Sequence, residues 1–202
     1  MNEKEIEVKL YVHDLKKIEL RLHDLEAKLI QPRIREINFR YDLPDGNLRA
    51  KGQVLRLRQD TNAILTYKGP SDIIDGVLSR TELETTIGDL ETAQQVLKAL
   101  GYVQILVYEK YRTIYEINNC HIMLDELPYG DFVEIESIDA STIRKMTLIM
   151  GLKFEEAVGA GYSRLFEDYN LKYGFPPTDL TFEVLHGKKP SPEELNVRAA
   201  DS

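Results

Sequence analysis

Six strand-like stretches of the sequence each carry two charges of one sign separated by a single residue: Glu5 and Glu7, Arg33 and Arg35, Arg56 and Arg58, Glu82 and Glu84, Lys110 and Arg112, and Glu134 and Glu136. Residues two apart in a β-strand project from the same face, so each doublet sets like charges roughly 7 Å apart, where they repel. Clustered carboxylates are oxygen ligands suited to a hard cation such as Mg2+ or Mn2+. Guanidinium and ammonium groups are the matching partners of phosphate oxygens. A polyphosphate carrying a divalent metal therefore answers both signs at once. The solvated face of half-exposed antiparallel strands also produces alternating charge, and spacing alone leaves the two readings level.

The elements that must hold these residues are mostly strands. Ile6, Val8, Leu10 and Val12 alternate with Glu5, Glu7, Lys9 and Tyr11, which predicts a strand with one apolar and one charged face. Leu15, Ile18, Leu22, Leu25 and Leu29 then fall on one helical stripe, with Asp14 placed to cap its first turn. Strands are expected around 33–41, 53–60, 63–69 and 79–87, with turns at Pro44-Asp45-Gly46, Thr61-Asn62 and Gly69-Pro70-Ser71. A helix from Asp89 to Leu100 ends at Gly101. Strands at 104–117, 120–126 and 131–137 follow, joined by turns at Asn118-Asn119 and Pro128-Tyr129-Gly130, and helices at 141–150 and 162–172 complete the pattern.

About eight strands with few helices avoid exposed edges by closing into a barrel. The expected class is α+β: an eight-stranded antiparallel barrel with helices packed outside. If the polar faces point inward, the interior is a tunnel lined by Glu5, Glu7, Glu82, Glu84, Asp125, Glu134 and Glu136 together with Lys9, Arg33, Arg56, Arg58, Lys68, Arg80, Lys110 and Arg112. Charges that dense persist only if they are wet and neutralised by each other or by a ligand. Residues 1–172 form this unit. Residues 173–202 read as a proline-containing tail, either extended or docked through Phe175, Leu180, Phe182, Val184 and Leu185.

Composition narrows the field. The 202 residues are 43 % hydrophobic, enough for one core. The excess of 34 acidic over 26 basic residues, a net charge of −8, disfavours general nucleic-acid binding. Uncharged runs are too short for a membrane helix, and nothing at the N-terminus resembles a signal region, so a cytoplasmic protein without a membrane partner is expected. A single cysteine, Cys120, excludes an internal disulfide, and with His13, His23, His121 and His186 it gives no zinc-ligand spacing. Phosphate loops of the GxxxxGK[ST] and GxGxxG types are absent, as are the Gly-x-Ser-x-Gly and His-Glu-x-x-His motifs.

Glu5-Ile6-Glu7-Val8-Lys9 resembles the ExExK signature that opens the CYTH family, named for class IV adenylyl cyclases and thiamine triphosphatases and also called triphosphate tunnel metalloenzymes. The resemblance continues in order through Tyr41-Asp42-Leu43-Pro44, Leu55-Arg56-Leu57-Arg58, Leu65 to Pro70, Arg80 to Glu84, Glu109 to Arg112, Leu124-Asp125-Glu126 and Gly130 to Glu136, covering roughly residues 3 to 170. It implies a tunnel that binds a small-molecule triphosphate (ATP, thiamine triphosphate or tripolyphosphate) with Mg2+ or Mn2+. By the same resemblance Glu5, Glu7, Glu134 and Glu136 hold metal, Lys9, Arg56, Arg58, Lys68, Lys110 and Arg112 hold phosphate, and Asp125 is an acid near the metal. Arg33, Arg35, Arg80, Glu82 and Glu84 face the tunnel by parity. A homodimer is compatible with the sequence.

The resemblance implies two chemistries. In a cyclase the ribose 3′-oxygen attacks the α-phosphorus of ATP, releasing cyclic AMP and pyrophosphate; in a triphosphatase water attacks the terminal phosphorus. The longer motif matches resemble the cyclase branch. Tyr41, with Lys68 downstream, matches the pair that some triphosphatase relatives use to activate water, and a rim-packing role for Tyr41 is equally open. A non-catalytic polyphosphate or nucleotide sensor is the third reading.

Overall fold

Strict alternation of charged and apolar side chains gives each strand a wet and a dry face, and the chain satisfies both by rolling its sheet into a ring. Residues 3–173, 179–185 and 189–202 are described in this structure, a computed structural model, with side chains from Ile6 onward. The strands are β1 (Glu3–Val12), β2 (Lys28–Asp42), β3 (Val54–Gln59), β4 (Ala63–Ile74), β5 (Val77–Ile87), β6 (Val103–Ile117), β7 (Cys120–Leu127) and β8 (Gly130–Glu136). All pairings are antiparallel, and the order β1-β5-β4-β3-β2-β6-β7-β8 closes on itself through β1 and β8. This is the expected eight-stranded α+β barrel.

The helices are α1 (Leu15–Asp24), α2 (Asn47–Ala50), α3 (Leu90–Ala99), α4 (Ala140–Ile149), α5 (Tyr162–Tyr173) and α6 (Phe182–Leu185). Among the described residues no helix is long and apolar enough to cross a membrane. The outward residues Val8, Leu10 and Val12 of β1, with Ile122, Val133 and Ile135 of β7 and β8, pack against Ile18 and Leu22 of α1 and Ile143 and Met146 of α4. Each such buried aliphatic contributes about 1.5–3 kcal/mol, so this layer fixes which way β1 and β8 turn their charged residues. On the far side, Tyr41 and Leu57 pack with Leu97 of α3. A third cluster joins Tyr11, Leu127, Tyr129 and Phe132 to Tyr162, Leu165 and Phe166 of α5, which lies across one end of the barrel.

Two expectations are corrected and one open alternative is decided. The first helix stops at Asp24 rather than continuing to Leu29, because Glu26 takes a left-handed conformation (φ 57°) and the chain enters β2 at Lys28. Gly69-Pro70-Ser71 is not a turn: β4 runs through it with a register shift between Lys68 and Ser71, and the turn falls at Asp75-Gly76, both at positive φ. The described part of the tail is docked, not free. Leu180, Leu195, Ala199 and Ala200 are buried, Leu180 bridges to Tyr108 and Ala199 to Tyr11, and Asp201 accepts hydrogen bonds from the His13 and Asp14 amides. Phe182 packs on Tyr111 and Leu185 on the third cluster, Val184 is exposed, and Phe175 lies outside the described residues. The turn at Asn118-Asn119 (φ 51° and 59°) and the cap by Asp14 are as the sequence predicts, and Asp89 and Asp139 cap α3 and α4 in the same way.

Candidate active site

The strands that pack their apolar faces outward leave a charged interior, a cavity of about 390 Å3. Its wall includes Glu7 and Lys9 of β1, Arg56 and Arg58 of β3, Lys68 of β4, Arg80, Glu82 and Glu84 of β5, Lys110 and Arg112 of β6, and Glu134 and Glu136 of β8. Asp125 of β7, fully buried, sits just behind the wall.

The deepest charges neutralise each other. Arg112 donates Nε and Nη2 to the two Asp125 oxygens, both at 2.6 Å, and Nη2 also reaches Glu134 Oε2 at 3.0 Å. Lys110 Nζ lies 3.2 Å from Asp125 Oδ2 and 3.5 Å from Glu36 Oε2. Lys9 donates to Glu7 and stands 3.5 Å from Glu134. Burial alone would discharge these groups, and the partners outweigh it. Burial would raise the Glu134 carboxyl, but Lys9 and Arg112 hold it well below the usual range. Glu36, against the same burial, is held at about 2 by Lys110, Arg112, Arg58 and Arg56. Burial works to lower the Lys9 ammonium, and Glu134 and Glu7 turn the balance upward.

The other side is looser. Lys68 Nζ is 2.8 Å from Glu82; Arg56 Nη2 is 3.2 Å from Glu84 and 3.9 Å from Glu82; Arg58 pairs with Asp60 at 3.2 Å. Thr66 donates its hydroxyl to Glu84 at 2.6 Å.

The structure thus brings together Glu7, Lys9, Arg56, Arg58, Lys68, Arg80, Lys110, Arg112, Asp125, Glu134 and Glu136 among the residues singled out from sequence. Glu5 pairs opposite Arg80 in the β1–β5 register, and its side chain lies outside the described residues. Three residues are elsewhere. Arg33 points outward, with Nε 2.6 Å from Glu126 Oε1 and its guanidinium 3.5 Å above the Tyr111 ring; Arg35, also outside, pairs with Glu109. Tyr41 is buried against α3 and away from the cavity. The reason is parity on β2: this strand is polar on both faces here, and Glu36, Asn38 and Arg40 are the inward residues, so alternation could not tell which set was inside.

Four cavity residues with polar side chains escaped the sequence reading: Arg40, Tyr108, Tyr162 and Ser163. Burial raises the Tyr108 phenol, but Arg56 more than reverses this, leaving it below its ordinary value. Tyr162 and Ser163 open α5 directly after Gly159-Ala160-Gly161, and that Gly-x-Gly before a helix was the available signal.

The donor set suits a hard divalent cation. Every candidate ligand is a carboxylate, and Glu7 and Glu136 are direct partners across β1 and β8, where like charges are destabilising without an intervening cation. Among the described residues no three potential ligands are already gathered; Lys9 stands against both Glu7 and Glu134, so a metal would have to displace an ammonium.

Similarity to known proteins agrees with the geometry. Over 135 residues the chain is 32 % identical to a protein of Methanocaldococcus jannaschii provisionally named an adenylate cyclase, covering 65 % of this chain and 75 % of that one. It is 30 % identical over 136 residues to the adenylate cyclase CyaB of Aeromonas hydrophila, covering 65 % and 67 %. Among solved structures, a provisionally named adenylate cyclase of Vibrio parahaemolyticus superposes with a TM-score of 0.72 at 22 % identity, over 83 % of this chain and 99 % of that one. A Hippeastrum protein, provisionally named an adenylyl cyclase and described as having dominant triphosphatase activity, superposes at 0.56 and 17 % identity, over 96 % and 100 %. The CYTH domain model matches residues 3–149, and the chain belongs to the CYTH domain family.

Proposed function

We propose that the protein is a divalent-metal-dependent enzyme acting on a triphosphate, and that its reaction is the class IV type of adenylyl cyclisation, ATP to cyclic AMP and pyrophosphate. The observation that carries the choice is the inward position on β2. It is held by Arg40, while Tyr41 faces α3. A guanidinium stays protonated and cannot take a proton from water, so the tyrosine-assisted hydrolysis read from sequence has no tyrosine at that place. The curated relatives carry adenylate cyclase names, which supports the same choice.

In this reading Lys9, Arg56, Arg58, Lys68, Arg80, Lys110 and Arg112 grip the phosphate chain from several strands, fixing the α-phosphorus for in-line attack by the ribose 3′-oxygen. Their charges are set before substrate arrives, so stabilising the charge that builds on phosphate oxygens requires little reorganisation. Asp125, clamped by Arg112 and Lys110, aims those two cations. Glu5, Glu7, Glu134 and Glu136 would hold Mg2+ or Mn2+, which when bound supplies further charge neutralisation and orients the chain.

Triphosphate hydrolysis remains the second reading, favoured by Tyr108. This cavity phenol, lowered in pKa by Arg56 against its burial, is placed to orient water. The test is incubation of the purified protein with Mg2+ or Mn2+ and, separately, ATP, thiamine triphosphate and tripolyphosphate, with products resolved chromatographically. Cyclic AMP with pyrophosphate supports cyclisation; orthophosphate from any of the three replaces it with hydrolysis; tight binding without turnover makes the protein a sensor.

A further inference from the structure

The stretch matched by the family model ends at residue 149, yet a side chain from beyond it reaches into the most buried part of the charged cluster. Tyr162, the first residue of α5, places its hydroxyl 2.8 Å from Asp125 Oδ2 and 3.1 Å from Glu134 Oε2. Its ring centroid stands 5.4 Å from the Lys9 ammonium and 5.6 Å from that of Lys110. The backbone there is pinned, since Tyr129 donates its hydroxyl to the Tyr162 carbonyl at 2.7 Å, and the Phe132 ring packs edge-on at 5.1 Å.

A phenol has one hydrogen to donate, and here two carboxylates from different strands share it. The hydroxyl therefore ties β7 to β8 at the point where Asp125 aims the phosphate-binding cations and Glu134 faces Lys9. The ring lies close to both ammonium groups. We infer that Tyr162 is a positioning residue of the metal and triphosphate site, holding the Glu134 carboxylate in the orientation from which it can exchange Lys9 for a divalent cation. The inference rests on the proposed role of Glu134 as a metal ligand. Groups that hydrogen-bond a ligand side chain without touching the metal commonly set its affinity, and Tyr162 makes that bond to both Asp125 and Glu134.

The decisive variant is Tyr162→Phe, which keeps the ring and removes only the hydroxyl. Three quantities are read: Mn2+ affinity in the presence of tripolyphosphate, by electron paramagnetic resonance of the free ion; tripolyphosphate affinity in EDTA, by calorimetry; and the melting temperature. The expected result is a loss of about 10- to 100-fold in Mn2+ affinity with metal-free tripolyphosphate binding unchanged, because the basic side chains remain. Leu165→Ala, buried on the same helix and without a hydrogen bond to the carboxylates, is the comparison; it should lower the melting temperature and leave Mn2+ affinity alone. Unchanged Mn2+ affinity in Tyr162→Phe, or a parallel fall of both affinities, overturns the positioning role. A wild-type protein that binds no Mn2+ refutes the metal assignment and this inference with it. One that binds Mn2+ yet makes no cyclic AMP refutes only the cyclase reading.

Discussion

The wall of the cavity has two halves of similar composition and different surroundings. On the β1, β6, β7 and β8 side the ion pairs are sealed: the Asp125 side chain is 0 % exposed and its partner Arg112 11 %. On the β3, β4 and β5 side the partners reach water, Glu82 being 17 % and Glu84 37 % exposed. A sealed pair cannot lose one member without leaving an uncompensated buried charge, whereas a wet pair exchanges its partner for solvent or ligand at small cost. The same residue types therefore sit in fixed pairs on one side and in adjustable pairs on the other. Glu36 lies between, held by Lys110 and Arg112 from one half and by Arg58 and Arg56 from the other.

Removing Arg112 should separate the halves most sharply. Arg112→Ala strands Asp125 and Glu134, and the expected loss is about 3–5 kcal/mol in urea unfolding, together with all turnover. A loss under about 1 kcal/mol, the exposed-pair range, would mean the sealed half is not sealed.

The pH dependence of stability comes next. Glu36 titrates at about 2 in the folded protein against an ordinary 4.5. A depressed carboxylate contributes stability in full above its unfolded pKa, and the contribution is lost as pH falls through the window from about 4.5 to about 2. The shift corresponds to about 3 kcal/mol, to be read as the difference in acid unfolding between wild type and Glu36→Gln. Lys9 has the opposite sign. Its raised pKa gives stability present below 10.5 and lost above it, so an alkaline melt of Lys9→Met should lack the wild-type decline.

For the wetter half the expected effect is on ligand, not fold. Tripolyphosphate with Mg2+ at a hundred times its dissociation constant should stabilise wild type by about 2.7 kcal/mol, measured by thermal melt at about 0.3 M salt to screen exposed charges. The gain should vanish in the Arg56→Ala/Arg58→Ala double variant. Equal small gains in both would place those arginines outside the grip.

The smallest effects belong to residues that face away from both halves. Tyr41→Phe should change turnover by less than about twofold and stability by about 1 kcal/mol. Arg33→Ala, breaking an exposed pair with Glu126, should cost about 0–1 kcal/mol and leave tripolyphosphate affinity unchanged in calorimetry.

Where one strand face was charged and the other aliphatic, as in β1 and β8, the sequence showed both the barrel and the inward residues, because burial of Val8, Leu10, Val133 and Ile135 leaves no choice of side. On β2, charges on both faces removed that constraint, and Arg33 and Tyr41 were assigned inward while Arg40 was overlooked. The C-terminal contribution was hidden for a different reason. Whether Tyr162 meets Asp125 depends on α5 crossing the barrel end, a long-range placement decided by scattered partners such as Phe132 and Tyr129 and by no local periodicity.

The helix that crosses one end of the barrel also governs traffic. Its own Tyr162 and Phe166 cluster there with Tyr11 and Phe132; if that packing shuts this end of the barrel, whatever enters leaves through the opposite mouth. On the proposed reaction, the product bound by the inner cations cannot overtake the one nearer the mouth. With the terminal phosphates innermost, cyclic AMP would depart first and pyrophosphate last, so the enzyme awaiting its next ATP would be the same form that pyrophosphate rebinds, and inhibition by pyrophosphate should be competitive with ATP.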